Sequence, residues 1–185
     1  MKLALAIAVA TGRIAAAEPA PTPHALVTLG ASRGVEDQNT TRTIDLTLAG
    51  RATPALWGFV TGRAGSSDHA CGDCIGDGKL REGDVGVLYL PCHATLCVGG
   101  SAALGYARRE IYYPGGRNAL GETFPSSYQV EDWLIADGRL RLMLRLGGHV
   151  AVEGDVALRY QRRLFDPTYP NAGGALASIA LGAWL

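Results

Sequence analysis

Hydrophobic and charged residues alternate strictly in two neighbouring segments between Gly138 and Leu164. The aliphatic positions share one parity and the charged positions share the other. The aliphatic set is Leu140, Leu142, Leu144, Val150, Val152, Val156 and Leu158, and the charged set is Arg139, Arg141, Arg145, Glu153, Asp155 and Arg159. Because successive side chains of a β-strand point to opposite faces, the pattern predicts two strands with one aliphatic and one charged face.

Charge pairing predicts how these two strands are joined. A three-residue turn over 146–148, with Gly in the left-handed position, keeps the two faces separate. A shift by one residue would mix them. Three opposite-charge pairs then face the same way: Arg141–Glu153, Arg139–Asp155 and Glu131–Arg163.

Turn signals divide the rest of the chain into further strands. We predict strands over 25–32, 41–51, 56–63, 84–92, 97–111 and 175–185, which with the first hairpin make eight. Short turns lie around Pro54, Ala94 and Gly147, whereas the four other links, 34–40, 64–83, 114–127 and 166–174, are longer. In the second and third strands, Phe59 is expected opposite Leu48, and Trp57 beside Gly50. In the fourth and fifth, Val85 is expected opposite Leu104 and Val87 opposite Ala102.

A dry aliphatic outside and a charge-paired inside are typical of a small transmembrane β-barrel. The even strand count agrees, as do the alternating short turns and long links, which correspond to periplasmic turns and extracellular loops. Helical periodicity is absent, and no apolar run after the first residues is long enough for a membrane helix. The predicted fold is an all-β, eight-stranded antiparallel up-and-down transmembrane β-barrel over residues 25–185.

The first residues have the order of a secretory signal. Lys2 precedes an apolar run over 3–10, and small residues follow up to Ala17. We predict a signal peptide over 1–17 and a Pro-rich periplasmic leader over 18–24. The chain has 17 basic and 17 acidic residues, so its charge balance gives no indication of nucleic-acid binding.

Four cysteines in an exported chain most often form two disulfides, with three possible connectivities. They are Cys71, Cys74, Cys92 and Cys97. Cys92 and Cys97 face each other in the predicted register, which makes a cross-strand bond plausible. Asp68 and His69 next to Cys71 and Cys74 have workable spacing for zinc, but oxidised cysteines are favoured outside the cell. We expect no metal and no cofactor.

The charged set named above is expected to fill the lumen of so narrow a barrel as an ion-pair network, with a very narrow pore as the alternative. Arginines at the loop ends of strands are candidate contacts for lipopolysaccharide phosphates. They are Arg42, Arg63, Arg108 and Arg162.

The whole chain after the signal resembles the eight-stranded outer-membrane β-barrels, the group that includes OmpX, the barrel part of OmpA and the opacity-type proteins. The resemblance is architectural. The final segment, 175–185, looks like the terminal assembly signal of that group, although Trp184 is penultimate here where those proteins usually end on an aromatic residue. The resemblance implies the outer membrane of a Gram-negative bacterium, with membrane lipid, lipopolysaccharide and the β-barrel assembly machinery as partners.

The function predicted from these features is non-enzymatic. The barrel would serve a structural role or a surface interaction through 64–83 and 114–127, with the extracellular partner left open. One alternative is a lipid A-modifying enzyme, a deacylase or acyltransferase, for which His69 has Ser66, Ser67 and Asp68 nearby, whereas His149 has no inward serine beside it. Another alternative is a soluble exported barrel that turns its aliphatic face inward around an apolar ligand.

Overall fold

The computed structural model describes residues 24–36, 39–71, 74–117, 121–147, 149–165 and 170–185. Eight long strands form the fold: β1 Ala25–Glu36, β2 Asn39–Arg51, β3 Leu56–Cys71, β4 Cys74–Tyr89, β5 Leu96–Tyr113, β6 Ser127–Leu146, β7 Val150–Arg163 and β8 Ala172–Trp184. A two-residue segment, Cys92–His93, pairs with the start of β5, and Gly116–Arg117 pairs with Thr123–Phe124. No helix among the described residues is long and apolar enough to cross a bilayer.

The eight strands close into a barrel. Each strand pairs antiparallel with the next along the chain. The ends of the sheet meet because β8 pairs back onto β1, from Leu26 opposite Trp184 to Glu36 opposite Gly174. Closure leaves no long strand with an unpaired edge, which is a requirement for a sheet in lipid. The predicted all-β, eight-stranded antiparallel up-and-down barrel is confirmed.

The outer face of the barrel is aliphatic. Leu140 is 69% exposed and Leu158 is 76% exposed. Aliphatic residues of all the other strands contribute to the same surface. A soluble monomer does not expose a continuous apolar surface of this extent. The alternative of a soluble barrel with its aliphatic face turned inward is therefore wrong.

The lumen is filled by three layers of side chains. One end, which carries the short turns and the last strand's Trp184, is closed by an apolar cluster that includes Trp57, Phe59, Leu88 and Met143. The rings of Trp57 and Trp184 meet edge to face, with centroids 5.5 Å apart. Charged and hydroxyl side chains occupy the middle. At the opposite end, called the external end below, a second apolar cluster contains Leu80, Ala107, Trp133 and Ile135.

The β6–β7 hairpin keeps its predicted faces but not its predicted register. Arg141 lies opposite Asp155 and Glu153 lies opposite Met143, a shift of two residues from the expected pairing. The turn begins at Gly147, whose φ of 83° suits glycine, and ends at His149. Because the shift is even, every side chain stays on its predicted face.

The predicted pairing of β2 with β3 is wrong by one residue, which exchanges the faces of β3. Phe59 lies opposite Ala49 and Trp57 lies opposite Arg51. Both rings are buried in the lumen, whereas the predicted pairing of Phe59 with the aliphatic Leu48 would put them on the lipid side. The same error put Arg63 outside. It is 4% exposed and points into the lumen.

The external links are shorter than predicted in the first half of the chain. The residues 34–40 belong to β1 and β2 except for positions 37 and 38, and 64–83 forms the outer halves of β3 and β4 except for 72 and 73. The β3–β4 ladder continues there as far as Cys71 opposite Cys74. The links after β5 and β7 span 114–126 and 164–171.

The β4–β5 pairing is confirmed, with Val85 opposite Leu104 and Val87 opposite Ala102. The predicted signal peptide over 1–17, and the leader apart from His24, lie outside the described residues.

Candidate functional site

The centre of the lumen is built around one arginine. Arg159 of β7 is 4% exposed. Its Nε and Nη2 donate to Asp137 at 2.8 and 2.9 Å, and its Nη1 and Nη2 donate to Glu82 at 2.7 and 2.6 Å. A further bond from Nη1 to Glu36 is 3.2 Å long. A guanidinium has five N–H donors, so Arg159 uses all of them on three carboxylates.

Two further arginines bind the same carboxylates from other walls of the barrel. Arg63 of β3 donates to Glu82 and to Asp84. Arg139 of β6 donates to Asp137 at 2.7 Å and to Asp84 at 3.3 Å. Each of these carboxylates is therefore shared between two arginines. Sharing of this kind offsets the cost of removing several charges from water.

Further ion pairs lie near the two ends of the lumen. Towards the external end, Arg109 of β5 donates to Glu36 of β1, and these two strands lie on opposite walls. Towards the other end, Arg141 donates to Glu153 at 2.7 Å. The Arg141 guanidinium also lies 5.1 Å from the ring centroid of Phe59. The Arg109–Glu36 and Arg141–Phe59 contacts cross-link strands that are not neighbours in the sheet, whereas Arg141 and Glu153 lie on the neighbouring strands β6 and β7.

Most of the predicted charged set meets in this network. Arg139, Arg141, Glu153, Asp155 and Arg159 are all buried, and Asp155 accepts a hydrogen bond of 2.5 Å from Ser178. The predicted Glu131–Arg163 contact is present at 2.6 Å. Arg145 does not join the network. It is partly exposed, and its guanidinium lies 5.4 Å from the Trp184 ring centroid.

Sequence reasoning missed several members of the network. They are Glu36, Asp45, Arg63, Glu82, Asp84, Arg109 and Asp137. Glu36 and Glu82 fell in segments predicted as loops, and Arg63 was given the wrong face. The available signal was parity, because both glutamates continue the inward parity of the strands beside them.

The network leaves little open space. A cavity of about 10 Å³ lies among Thr28, Thr47, Thr61 and Ser178, with Arg63 and other charged residues of the network on its wall. This volume suits a single water molecule. With apolar clusters at both ends, the described part of the lumen is a packed core and not a channel.

One acidic cluster in the lumen has the spacing of a cation site. Within the described part of the chain, carboxylate oxygens of Glu82, Asp84 and Asp137 lie within 4.8 Å of one another. The same carboxylates accept the arginine hydrogen bonds described above, so guanidinium groups already neutralise them. The arrangement is that of an ion-pair core.

The arginines predicted to contact lipopolysaccharide divide into two groups. Arg42, Arg108 and Arg162 face outwards and are exposed. Arg108 has Nε 3.8 Å from a carboxylate oxygen of Glu110. Arg63 cannot reach lipid because it lies inside the lumen, where Trp57 and Phe59 of the same face are also buried.

The remaining candidates for chemistry lie at the ends of the barrel. Cys92 and Cys97 are opposite each other, and their Sγ atoms are 2.00 Å apart, at disulfide distance. The side chains of His69, Cys71 and Cys74 lie outside the described part of the structure, although Cys71 and Cys74 are paired in the β3–β4 ladder. His149 is exposed, with Nδ1 3.2 Å from the backbone oxygen of Trp184.

A closed eight-stranded barrel with an aliphatic outside and an ion-paired inside defines the class of small outer-membrane β-barrels. Solved structures of this class are similar in fold. Neisserial surface protein A gives a TM-score of 0.61 at 12% identity, covering 88% of this chain and 96% of that one. OprG from Pseudomonas aeruginosa gives 0.57 at 11%, covering 89% and 97%. Ail, the attachment invasion locus protein of Yersinia pestis, gives 0.53 at 12%, covering 88% and 97%. No protein-family model and no curated protein sequence matches the chain. The resemblance to small outer-membrane barrels is confirmed at the level of fold.

Proposed function

We propose that this protein is a non-enzymatic barrel of the Gram-negative outer membrane that acts through its external surface. The packed lumen is the observation that carries the proposal. Apolar clusters close both ends, and the arginines between these clusters form ion pairs with carboxylates. A lumen of this kind offers neither a solute path nor a substrate pocket. Interaction is left to the outer surface and to the external end.

The external end offers a polar surface for such an interaction. The outer halves of β3 and β4 form a hairpin whose outward positions include Ser66, Asp68, Asp77 and Lys79. The link over 114–126 lies at the same end of the barrel, after β5. These segments correspond to the two regions from which a surface role is predicted.

The closed lumen can be tested in planar lipid bilayers. We expect the refolded full chain to give no single-channel steps in 1 M salt, because the described lumen has no continuous path. Reproducible steps from the wild type would contradict the proposal. The same preparation must shift on boiling in a detergent gel, which shows that the protein in the bilayer assay is folded.

The surface role can be tested on whole cells. Expression in a Gram-negative host should place the protein in the outer-membrane fraction, as a band that shifts on boiling in a detergent gel. Because the similar structure Ail is named as an attachment protein, we expect cells expressing the full chain to adhere to a cell monolayer more than cells expressing a variant with 115–125 replaced by a short Gly-Ser turn. Equal adhesion by both strains would contradict a role for this link.

The alternative of a lipid A-modifying enzyme makes a different prediction. An enzyme would change the mass spectrum of lipid A when the protein is expressed, and His69→Ala would abolish the change. We expect an unchanged spectrum in both strains.

The same proposal includes three of the predictions made from the sequence. Residues 1–17 direct export, the β-barrel assembly machinery inserts the barrel, and Arg42, Arg108 and Arg162 contact lipid phosphates.

A further inference from the structure

A groove runs along the outside of the barrel across β2 to β5. Gly62 of β3 and Gly83 of β4 lie directly opposite each other and both face outwards. Leu46 lies beside Gly62 on one side, and Tyr106 lies beside Gly83 on the other. The Tyr106 hydroxyl donates to Asp132, which fixes the position of this ring. The resulting outer groove has a volume of about 780 Å³. Gly62 and Gly83 form its floor, and the Tyr106 ring and Leu46 form its walls.

Two arginines stand at the external end of the outer groove. Arg81 of β4 and Arg108 of β5 are directly opposite each other, and both are exposed on the outer face. Like charges in this position destabilise a sheet unless an anion compensates them. Arg108 has Glu110 at 3.8 Å and lies directly opposite Asp132 of β6, whereas among the described side chains no carboxylate lies within 4.0 Å of Arg81. Arg108 is therefore partly compensated, and Arg81 carries a positive charge that no described carboxylate within 4.0 Å compensates.

The order of these residues along the strands matches a lipid. From the external end inwards, β4 presents Arg81, then Gly83, then the exposed Val85 to the outside. Charge thus precedes an open apolar floor, and the aliphatic belt follows. A phosphorylated amphiphile in the outer leaflet has the same sequence of headgroup and hydrocarbon. Arginine suits the headgroup because its planar donors can bind phosphate oxygens in pairs.

We infer that the outer groove binds one phosphorylated lipid of the outer leaflet, of the lipid A type. A phosphate lies between Arg81 and Arg108, and an acyl chain lies over Gly62 and Gly83 against the Tyr106 ring. Ala64, which is opposite Arg81 on β3, leaves room for the headgroup. This inference rests on the proposed function because it requires the aliphatic belt to lie in the outer membrane.

The charge requirement can be tested with full-length protein refolded in zwitterionic detergent micelles. The probes are bisphosphorylated lipid A and the same lipid A after phosphatase treatment, and native mass spectrometry gives the affinity. We expect Arg81→Gln/Arg108→Gln to weaken binding of the phosphorylated probe about tenfold, because each basic group near an anionic lipid contributes to attraction. Binding of the dephosphorylated probe should not change. Equal weakening of both probes would overturn the phosphate site.

A matched arginine provides the control. Arg33 of β1 is also exposed on the outer face but does not border the outer groove. The variant Arg33→Gln loses the same charge as Arg81→Gln, and we expect it to change affinity less than twofold, whereas Arg81→Gln should weaken binding of the phosphorylated probe about threefold. If it weakens binding as much as the groove variant does, attraction is general to the basic rim and the proposed site is wrong.

The floor of the groove has its own matched control. A Cβ built on Gly62 meets no atom within 4 Å, and one on Gly83 meets only a backbone oxygen at 3.9 Å, so Gly62→Val/Gly83→Val should fold and fill the groove. Gly50 and Gly58 form a similar outward pair with the same free space, between β2 and β3. We expect the first double variant to lose binding of both probes and Gly50→Val/Gly58→Val to keep it. Equal binding by the two would overturn the inference.

Outer-membrane fractionation and the boiling shift separate failure of the inference from failure of the proposed function. Wild-type protein that does not sediment with the outer membrane contradicts both. Protein that does so, and shifts on boiling, but binds neither probe contradicts only the lipid site.

Discussion

Replacing Arg159 by methionine tests whether the lumen network holds the barrel together. The change keeps a long side chain of similar volume but removes all five donated hydrogen bonds. Three carboxylates, those of Glu36, Glu82 and Asp137, then lose one of their arginines. Removing one partner of a buried ion pair is costly because the charge left behind remains out of water.

The expected cost follows from what remains. Five charge-assisted bonds counted singly at about 1.5–3 kcal/mol each would overstate the loss. Each carboxylate keeps another arginine: Glu36 keeps Arg109, Glu82 keeps Arg63, and Asp137 keeps Arg139. No carboxylate is therefore left bare, and we expect the free energy of unfolding to fall by about 3–5 kcal/mol, the range for one broken buried pair.

Urea unfolding in detergent micelles, followed by tryptophan fluorescence, measures this loss. Arg162→Met removes the same charge from the exposed outer face, and it should change stability by less than about 0.5 kcal/mol. Adding Glu82→Gln to Arg159→Met removes one of the excess negative charges and should restore about 1 kcal/mol or more. The reasoning is refuted if Arg159→Met and Arg162→Met unfold at the same urea concentration.

Three further changes have defined outcomes in the same unfolding assay. Ala94 has a φ of 53°, so Ala94→Gly should raise stability by about 1 kcal/mol, and a loss would show that the turn does not strain alanine. Trp57→Ala removes a buried ring that contacts Trp184 and should cost about 3–5 kcal/mol, whereas a cost below 1 kcal/mol would mean that this end of the lumen is loosely packed. Reducing the bond between Cys92 and Cys97 should cost about 2 kcal/mol in the chain-entropy estimate for so short a loop, and no change would indicate that the hairpin is already closed without it.

The faces of the barrel strands were more predictable than their registers. Alternation fixes which side chains share a face, and for β6 and β7 the charged parity is indeed the lumen. Register depends on the position of the turn. The observed turn lies one residue later than predicted, so that Glu153 lies opposite Met143 and not opposite Arg141. The Arg141–Glu153 contact forms all the same at 2.7 Å, because a long arginine reaches a diagonal neighbour.

The aromatic residues and the polar segments misled the prediction for physical reasons. Trp57 and Phe59 can pack against lipid or fill a lumen, and hydrophobicity does not distinguish the two. Because Arg63 shares a face of β3 with these two rings, a prediction that turns the rings towards lipid also turns Arg63 outwards. Segment 64–83 lies above the aliphatic belt, so both of its faces are polar or small and the contrast that reveals a strand is weak there. This weak contrast explains why Glu82, at the centre of the network, is not predicted to lie on a strand.

The hydrogen bonds between Glu36 and the arginines of other walls link the charge balance of the lumen to closure of the barrel. Glu36 lies on the first strand, and its partners Arg109 and Arg159 lie on β5 and β7. The first strand reaches them only when β1 pairs with β8, from Glu36 opposite Gly174 to Leu26 opposite Trp184. Until then both arginines lack one counter-ion, and the open sheet keeps its polar face hydrated. The charge balance of the lumen is therefore complete only in the closed ring, which is also the form that leaves no unpaired strand edge in hydrocarbon.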